Sequence, residues 1–409
     1  MRSFIVVLLS ALSLQSFAQF SLDWGELIGG RLTQSTLDKD SNIYIAGNFD
    51  NTIDFDPGTG TDFKTTQGGY DFFVVKLNKH GDYQWSRTFG TTGCSPCHDE
   101  VSDIAVDGKG NVLLTGAFFG PLDFDPSPTN TFILKSGGFF TVNYILKLDS
   151  LGDFVWAKKF QNNIFASGNG RININENDEI FYTTSFMDSI DADPSGGTLY
   201  FTTSVSGTEN TLIAKLKSSG NLVWAKQIEG GYNKVDKFTF VDSNTLLLVG
   251  QYKGLVDFDI QNSTSNTLNS GTNTHTFLLK LTSDSAFGFV KDFTCTNLGT
   301  GVSDIISTST GSILFCGNFT GTVDFDPGTA VLSKTASNST GDAYILKLDS
   351  NGLYKDVFTF GGAGVYQNQC KSIGEDSSGN LFFAGEYMST VDFDKGIGVS
   401  NHTSVGTLD

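Results

Sequence analysis

A motif that returns at a fixed interval constrains this chain more than any local signal does. Val323-Asp324-Phe325-Asp326-Pro327-Gly328 has an earlier copy in Asp54-Phe55-Asp56-Pro57-Gly58 and another in Asp123-Phe124-Asp125-Pro126. Weaker copies are Asp191-Ala192-Asp193-Pro194, Asp257-Phe258-Asp259 and Asp392-Phe393-Asp394. The leading aspartates stand at 54, 123, 191, 257, 324 and 392, spaced by 69, 68, 66, 67 and 68 residues. Such a period marks a repeat architecture, in which one unit cannot bury its apolar surface alone and neighbours stack to make the core.

One repeat is legible across residues 101–160. Val101–Val106 alternates as a strand does, and Asp107-Gly108-Lys109-Gly110-Asn111 is a turn. Val112–Phe119 is a second strand, which Asp123–Pro126 ends, and a variable polar loop follows. Tyr144–Leu148 is a third strand, and Asp149-Ser150-Leu151-Gly152 turns into a fourth at Phe154–Lys158. Four short strands joined by Gly- and Asp-bearing turns make an antiparallel meander. No stretch carries sustained helical spacing. The expected fold is all-β, a β-propeller of about six four-stranded blades, one per repeat of about 67 residues. A solenoid prefers shorter periods, and a pair of sandwiches would not repeat six times.

The N-terminus reads as an export signal. Met1-Arg2 precedes an apolar run, Phe4–Leu14, and Ser16-Phe17-Ala18 supplies small residues where a signal peptidase cuts. Residues 1–18 are the expected signal peptide and 19–409 the repeat domain. The apolar run is shorter than the ~20 residues that span a bilayer, so no transmembrane segment is expected. The mature chain opens at Phe20–Gly25, which resembles the fourth strand of later repeats around Trp85, Trp156 and Trp224. The last blade is incomplete, since the chain stops at Asp409 where the sixth third-strand should begin. A strand around Trp24 could complete that blade. Continuation of the protein beyond Asp409 is the favoured expectation, because a gap within a blade exposes edges.

The repeat motifs resemble SBBP β-propeller repeats. The residues that carry the resemblance are Gly379-Asn380, Gly317-Asn318-Phe319, Val323–Gly328, Asp342–Gly352 and Trp156-Ala157-Lys158. The resemblance covers essentially the whole mature chain. It implies a propeller and an exported location, in proteins many of which come from Bacteroidetes-type bacteria, and it implies no activity. Many such proteins end in a type IX secretion sorting domain; none is visible here, in keeping with a longer natural chain.

Charge narrows the partners. With 44 acidic against 26 basic residues the net charge is −18, which repels nucleic acid and anionic membrane surfaces. Cations, neutral glycans and proteins remain. Calcium is one expectation, at Asp54, Asp56, Asp123, Asp125, Asp257, Asp259, Asp324 and Asp326. In an extended strand each pair points to one face, but it offers at most four of the six to eight oxygens that calcium takes. The competing expectation is structural: the aspartates accept backbone donors in a turn while the intervening Phe packs inside.

Cys94-Ser95-Pro96-Cys97-His98 matches the c-type haem attachment pattern, for which His80, Met187 or His275 would have to supply the second axial ligand. A local disulfide between Cys94 and Cys97 is the simpler expectation for an exported chain. Cys316 takes the place of Ala46 and Thr115 and is expected to be a buried small residue. Lys76, Lys147, Lys215, Lys280 and Lys347 recur on the third strands. They are expected to be solvated or paired with nearby aspartates, not catalytic.

The expected function is therefore that of an exported, non-catalytic binding, scaffold or adhesion module at the cell surface. Its ligand, a polysaccharide or a protein, would be met by the variable segments 58–70, 127–141, 260–275 and 328–341. Two alternatives stand beside it. A polysaccharide-acting enzyme would need repeat-breaking acids to converge, and Glu100, Glu209 and Glu229 are scattered in the sequence. A haem protein would rest on residues 94–98 alone.

Overall fold

A computed structural model of the chain describes residues 4–10, 21–28, 30–93, 98–137, 140–162, 170–261, 265–296, 300–362, 367–394 and 399–404. Every helix or strand among them is a β-strand, so the fold is all-β. The chain divides into two compact units, Met1–Phe201 with Ala214–Ala225, and Thr202–Ile213 with Lys226–Asp409.

In the first unit, Arg31–Leu37, Ile43–Phe49, Asp71–Leu77 and Tyr83–Phe89 pair in chain order as one antiparallel sheet. Glu100–Val106, Val112–Phe118, Val142–Leu148 and Phe154–Asn162 repeat that order. A third repeat begins with the pair Arg171–Ile174 and Ile180–Met187. In the second unit, Thr300–Ser307, Ile313–Phe319, Asp342–Leu348 and Tyr354–Phe360 form the same meander, and Gln369–Glu375 pairs with Leu381–Glu386. In the repeat at 101–160 the first three strands fall within two residues of those expected, and the fourth, Phe154–Asn162, runs four residues further. A further hairpin pairs Phe4–Ser10, within the expected signal segment, with Ser21–Ile28, which holds Trp24.

The turns explain the recurring Asp-x-x-Gly-Asn. Asp107 Oδ1 accepts the amides of Lys109 and Asn111, both at 2.9 Å, and the Gly110 amide donates to the Asp107 carbonyl. Asp38, Asp149, Asp349 and Asp376 hold their turns in the same way. A short acceptor side chain thereby closes a turn that water would otherwise have to satisfy.

The glycine of the second strand has a different cause. A bulge in the first strand pushes a carbonyl toward it, as at Thr115/Gly116 and Val302/Asp304. A Cβ on Gly116 would lie 1.8 Å from the Glu100 carbonyl oxygen, and one on Gly317 1.9 Å from that of Gly301. No side chain fits there.

The variable polar loops contain more structure than expected. In each, the strand that ends at the motif's first Asp is answered by a short return strand. Thr52–Asp54 pairs with Phe63–Thr65, Pro121–Asp123 with Ile133–Lys135, Thr322–Asp324 with Ser333–Thr335, and Thr390–Asp392 with Asn401–Thr403. Three carry a cross-strand threonine pair, Thr52–Thr65, Thr322–Thr335 and Thr390–Thr403, at 2.7–2.9 Å. The return strands are largely solvent-facing, so no apolar alternation announces them.

Within each unit the repeats interlock through fixed contacts. First strands lie side by side: Arg31–Leu37 against Glu100–Val106, that strand against Arg171–Ile174, and Thr300–Ser307 against Gln369–Glu375. Asp103 Oδ2 takes the Ile172 amide and Asp304 Oδ2 the Ile373 amide, each at 3.0 Å. The fourth-strand indole reaches the next repeat's turn, Trp85 to the Ser150 carbonyl and Trp156 to that of Ser218, both at 3.2 Å. Where Trp is lost, Phe289 packs on Gly352 in the same manner. Phe55, Phe124, Phe258 and Phe325 of the repeated motif are all buried.

Candidate functional site: a polar cleft in the first unit

The first unit carries a cleft of about 950 Å3, a volume typical of ligand sites. One wall comes from the first repeat, through Lys64 of the return strand and Ser86–Gly90 of the fourth strand. The other comes from the second repeat, through Asp123, Asp125–Pro128 and Asn130, with Asp153 and Phe154 at the start of its fourth strand. The variable segment 127–141 thus meets the cleft, as does 58–70 through Lys64 and Gln67.

Both cations of the cleft have partners within the protein. Lys64 Nζ lies 2.6 Å from Asp62 Oδ1. Asp62 also receives the Tyr83 hydroxyl at 2.5 Å and the Ser86 hydroxyl. Burial pushes the Asp62 carboxyl up, but the bonds from Lys64, Ser86 and Tyr83 outweigh it and hold the group below the usual carboxylate range. Arg87 ties the walls together. Its Nε donates to the Gly152 carbonyl and its Nη2 to that of Leu151, both at 3.0 Å, and Nη2 stands 3.5 Å from Asp153 Oδ1.

Behind the floor, Gly90 lies against the Asp71 carboxylate, and a Cβ on it would be 2.0–2.2 Å from the carboxylate atoms. Asp71 takes the Gln67 amide at 2.8 Å. Burial, with the nearby charge of Asp99, raises its carboxyl to about 6.

Two of the expected calcium aspartates, Asp123 and Asp125, line the cleft. Asp123 Oδ1 accepts the amides of Asp125 (3.1 Å) and Phe132 (2.7 Å), and Asp125 Oδ1 that of Ser127 (2.9 Å). The other copies repeat this geometry. Asp54 takes Asp56 and Asp62, Asp257 takes Asp259 and Asn266, and Asp324 takes Asp326 and Leu332. Asp56, Asp259 and Asp326 each accept the amide two residues on. The strand ends at the first Asp, so the pair belongs to a turn and not to one extended run. Among the described residues no cluster of three or more His, Cys, Asp or Glu is assembled for a metal.

Cys94 and Cys97 lie outside the described residues. His98 stacks on Tyr70 with ring centres 5.0 Å apart. His80 is exposed, and His275, in the second unit, has Nδ1 3.1 Å from Asp292 Oδ1. Met187 is exposed. Glu100 and Glu229 are exposed and Glu209 half-buried, and none of the three lines the cleft.

Four of the third-strand lysines have partners within the protein. Lys147 is buried and lies 2.8 Å from Asp107 Oδ2, and Lys215 lies 2.9 Å from Glu179 Oε1. Lys76 and Lys280 donate to the carbonyls of Ser150 and Ser350. Cys316 is fully buried, as its Ala and Thr counterparts suggested.

No family model matches the chain, and no curated protein matches it. Among solved structures it is similar to a protein of unknown function from Bacteroides caccae, at 10% identity and a TM-score of 0.38, over 83% of this chain and 85% of that one. It is also similar to the extracellular domain assigned to a hybrid two-component system of B. thetaiotaomicron, at 12% identity and a TM-score of 0.23, over 95% of this chain. A second structure of a B. thetaiotaomicron extracellular domain, assigned to a one-component system, gives 10% identity and a TM-score of 0.26, over 89% of this chain. The chain spans 58% and 50% of the length of those two extracellular domains.

Proposed function

We propose that the chain is an exported, non-catalytic β-propeller of the SBBP-repeat type that binds a neutral polysaccharide segment in the cleft of its first unit. The observation that carries the ligand class is that both cations of the cleft are paired within the protein, which leaves its free charge acidic. Lys64 and Arg87 are engaged by Asp62 and Asp153, while Asp123, Asp125, Asn130 and several hydroxyls remain along the walls. Such a lining offers acceptors and amides to sugar hydroxyls, and the net charge of −18 disfavours a polyanion. The side-by-side first strands of successive repeats support the propeller. The charged and apolar N-terminus supports export.

Immobilised neutral and acidic polysaccharides provide the test. The protein should be retained by at least one neutral polymer and not by the acidic ones. Asp125→Asn keeps the turn acceptor but removes a charge, and it should weaken retention about tenfold, the equivalent of ~1.4 kcal/mol. A folded protein that no neutral polymer retains, or a variant that binds unchanged, would overturn the proposal.

A further inference from the structure

Two cysteines of the second unit occupy corresponding places in adjacent repeats. Cys316 lies in the second strand of the fifth repeat, where the first two repeats have Ala46 and Thr115. Cys370 lies in the first strand of the sixth, where the second and fifth have Val101 and Val302. Between the first and second repeats, Ala46 and Val101 share one apolar cluster. In the same way, Cys316 and Cys370 share a cluster with Phe360, Ile373 and Val391. The strands Ile313–Phe319 and Gln369–Glu375 pack together, which brings both thiols into that one cluster. Both are buried and in the thiol form here. Ala or Thr on one strand and Val on the other have been exchanged together for two cysteines in one cluster.

We propose that Cys316 and Cys370 form a disulfide that fastens the sixth repeat to the fifth. A cross-link of this span removes freedom from the unfolded chain.

The reaction is a thiol–disulfide exchange with a small disulfide such as oxidised glutathione. One cysteine thiolate attacks the reagent's S–S bond and releases one glutathione thiol. The second cysteine attacks the resulting mixed disulfide, which forms the Cys316–Cys370 bond and releases the second. Two protein thiols lose two protons and two electrons, and one glutathione disulfide becomes two thiols. Cys370 is the end the reagent would meet first, since it lines a cavity of about 200 Å3 while Cys316 does not. Hydrogen bonding to Cys370, then burial, raises the Cys316 thiol far above its ordinary range, so exchange is slow in the closed fold and fastest when the sheets breathe. In the cell the oxidant depends on the export proposed above; in vitro it does not.

The test uses the full chain made reduced in a bacterial cytoplasm. It is held in a glutathione redox buffer with a sub-denaturing urea concentration, quenched in acid, alkylated and digested. The expected result is a peptide pair joined through Cys316 and Cys370, lighter by two hydrogens than the reduced pair, together with a melting temperature several degrees higher. Cys316→Ala and Cys370→Val restore residues that other repeats use at these places, so both should fold and both should lose the redox-dependent shift. Alkylation of both cysteines after oxidation, glutathione adducts alone, or linkage to other cysteines would overturn the proposal. A linked pair in vitro that is reduced in protein taken from its own cell would leave the disulfide standing and count against export.

Discussion

At the residue scale, the chain uses charge chiefly to close and fasten its own turns. Lys147 and Asp107 are both buried and 2.8 Å apart. Removing one partner strands the other, which costs about 3–5 kcal/mol where a buried pair is broken. Lys147→Met should lower the unfolding free energy by that order, and Lys147→Met with Asp107→Asn should recover part of the loss; equal loss in both, measured by denaturant titration, would contradict the pairing. Burial pushes the Asp107 carboxyl up, but Lys147 and Asn111 outweigh it and hold it below its ordinary value, so this stability is present at neutral pH and is lost as pH falls through the acid range. Asp71 has the opposite sign. Its folded carboxyl, raised to about 6, keeps its proton longer than the unfolded one, so stability declines as pH rises between about 4 and 6. Asp71→Asn should flatten that limb of a melting-temperature profile, and an unchanged profile would show that the group does not titrate as argued.

At the element scale, the turn glycines are under two constraints that can be separated. Gly352 has φ +71° and would place a Cβ 3.0 Å from the Phe289 ring of the preceding repeat. Gly311 has φ +79° and open space around it. Gly311→Ala should cost only the left-handed backbone strain, about 1–2 kcal/mol. Gly352→Ala should cost more, because the interlock between repeats is disturbed as well. Thermal denaturation decides between them, and equal losses would mean that the packing of Phe289 on the turn contributes little. These elements were also the most legible in the sequence. The alternation of Val101–Val106 and the Asp-x-x-Gly-Asn turns place the four-stranded meander directly, since strand burial and turn acceptors act locally. The return strands such as Phe63–Thr65 were not legible, because a solvent-facing three-residue strand has neither an apolar period nor a turn of fixed composition. The extended reading of Asp324 and Asp326 was mistaken for a related reason: the Asp324 side chain captures amides from both sides of the loop and bends the chain at that point.

At the scale of the whole molecule, the cleft proposed to bind ligand falls where the repeat varies. The period was plain in the sequence, but the cleft was not. It is assembled from Ser86–Gly90 of one repeat and Asp123–Asn130 of the next, and it depends on Arg87 reaching the carbonyls of Leu151 and Gly152. No local pattern announces a contact made across some 65 residues. Asp123 and Asp125 were singled out for calcium, and they fall in the cleft through the turn they close. The central claim is that this cleft, and not another face, holds a neutral glycan. Amide hydrogen exchange with and without the polysaccharide that retains the protein tests it most directly. Slowed exchange is predicted at Ser86–Gly90 and at Asp125–Asn130. Protection confined to the second unit, with these two segments unchanged, would contradict the account.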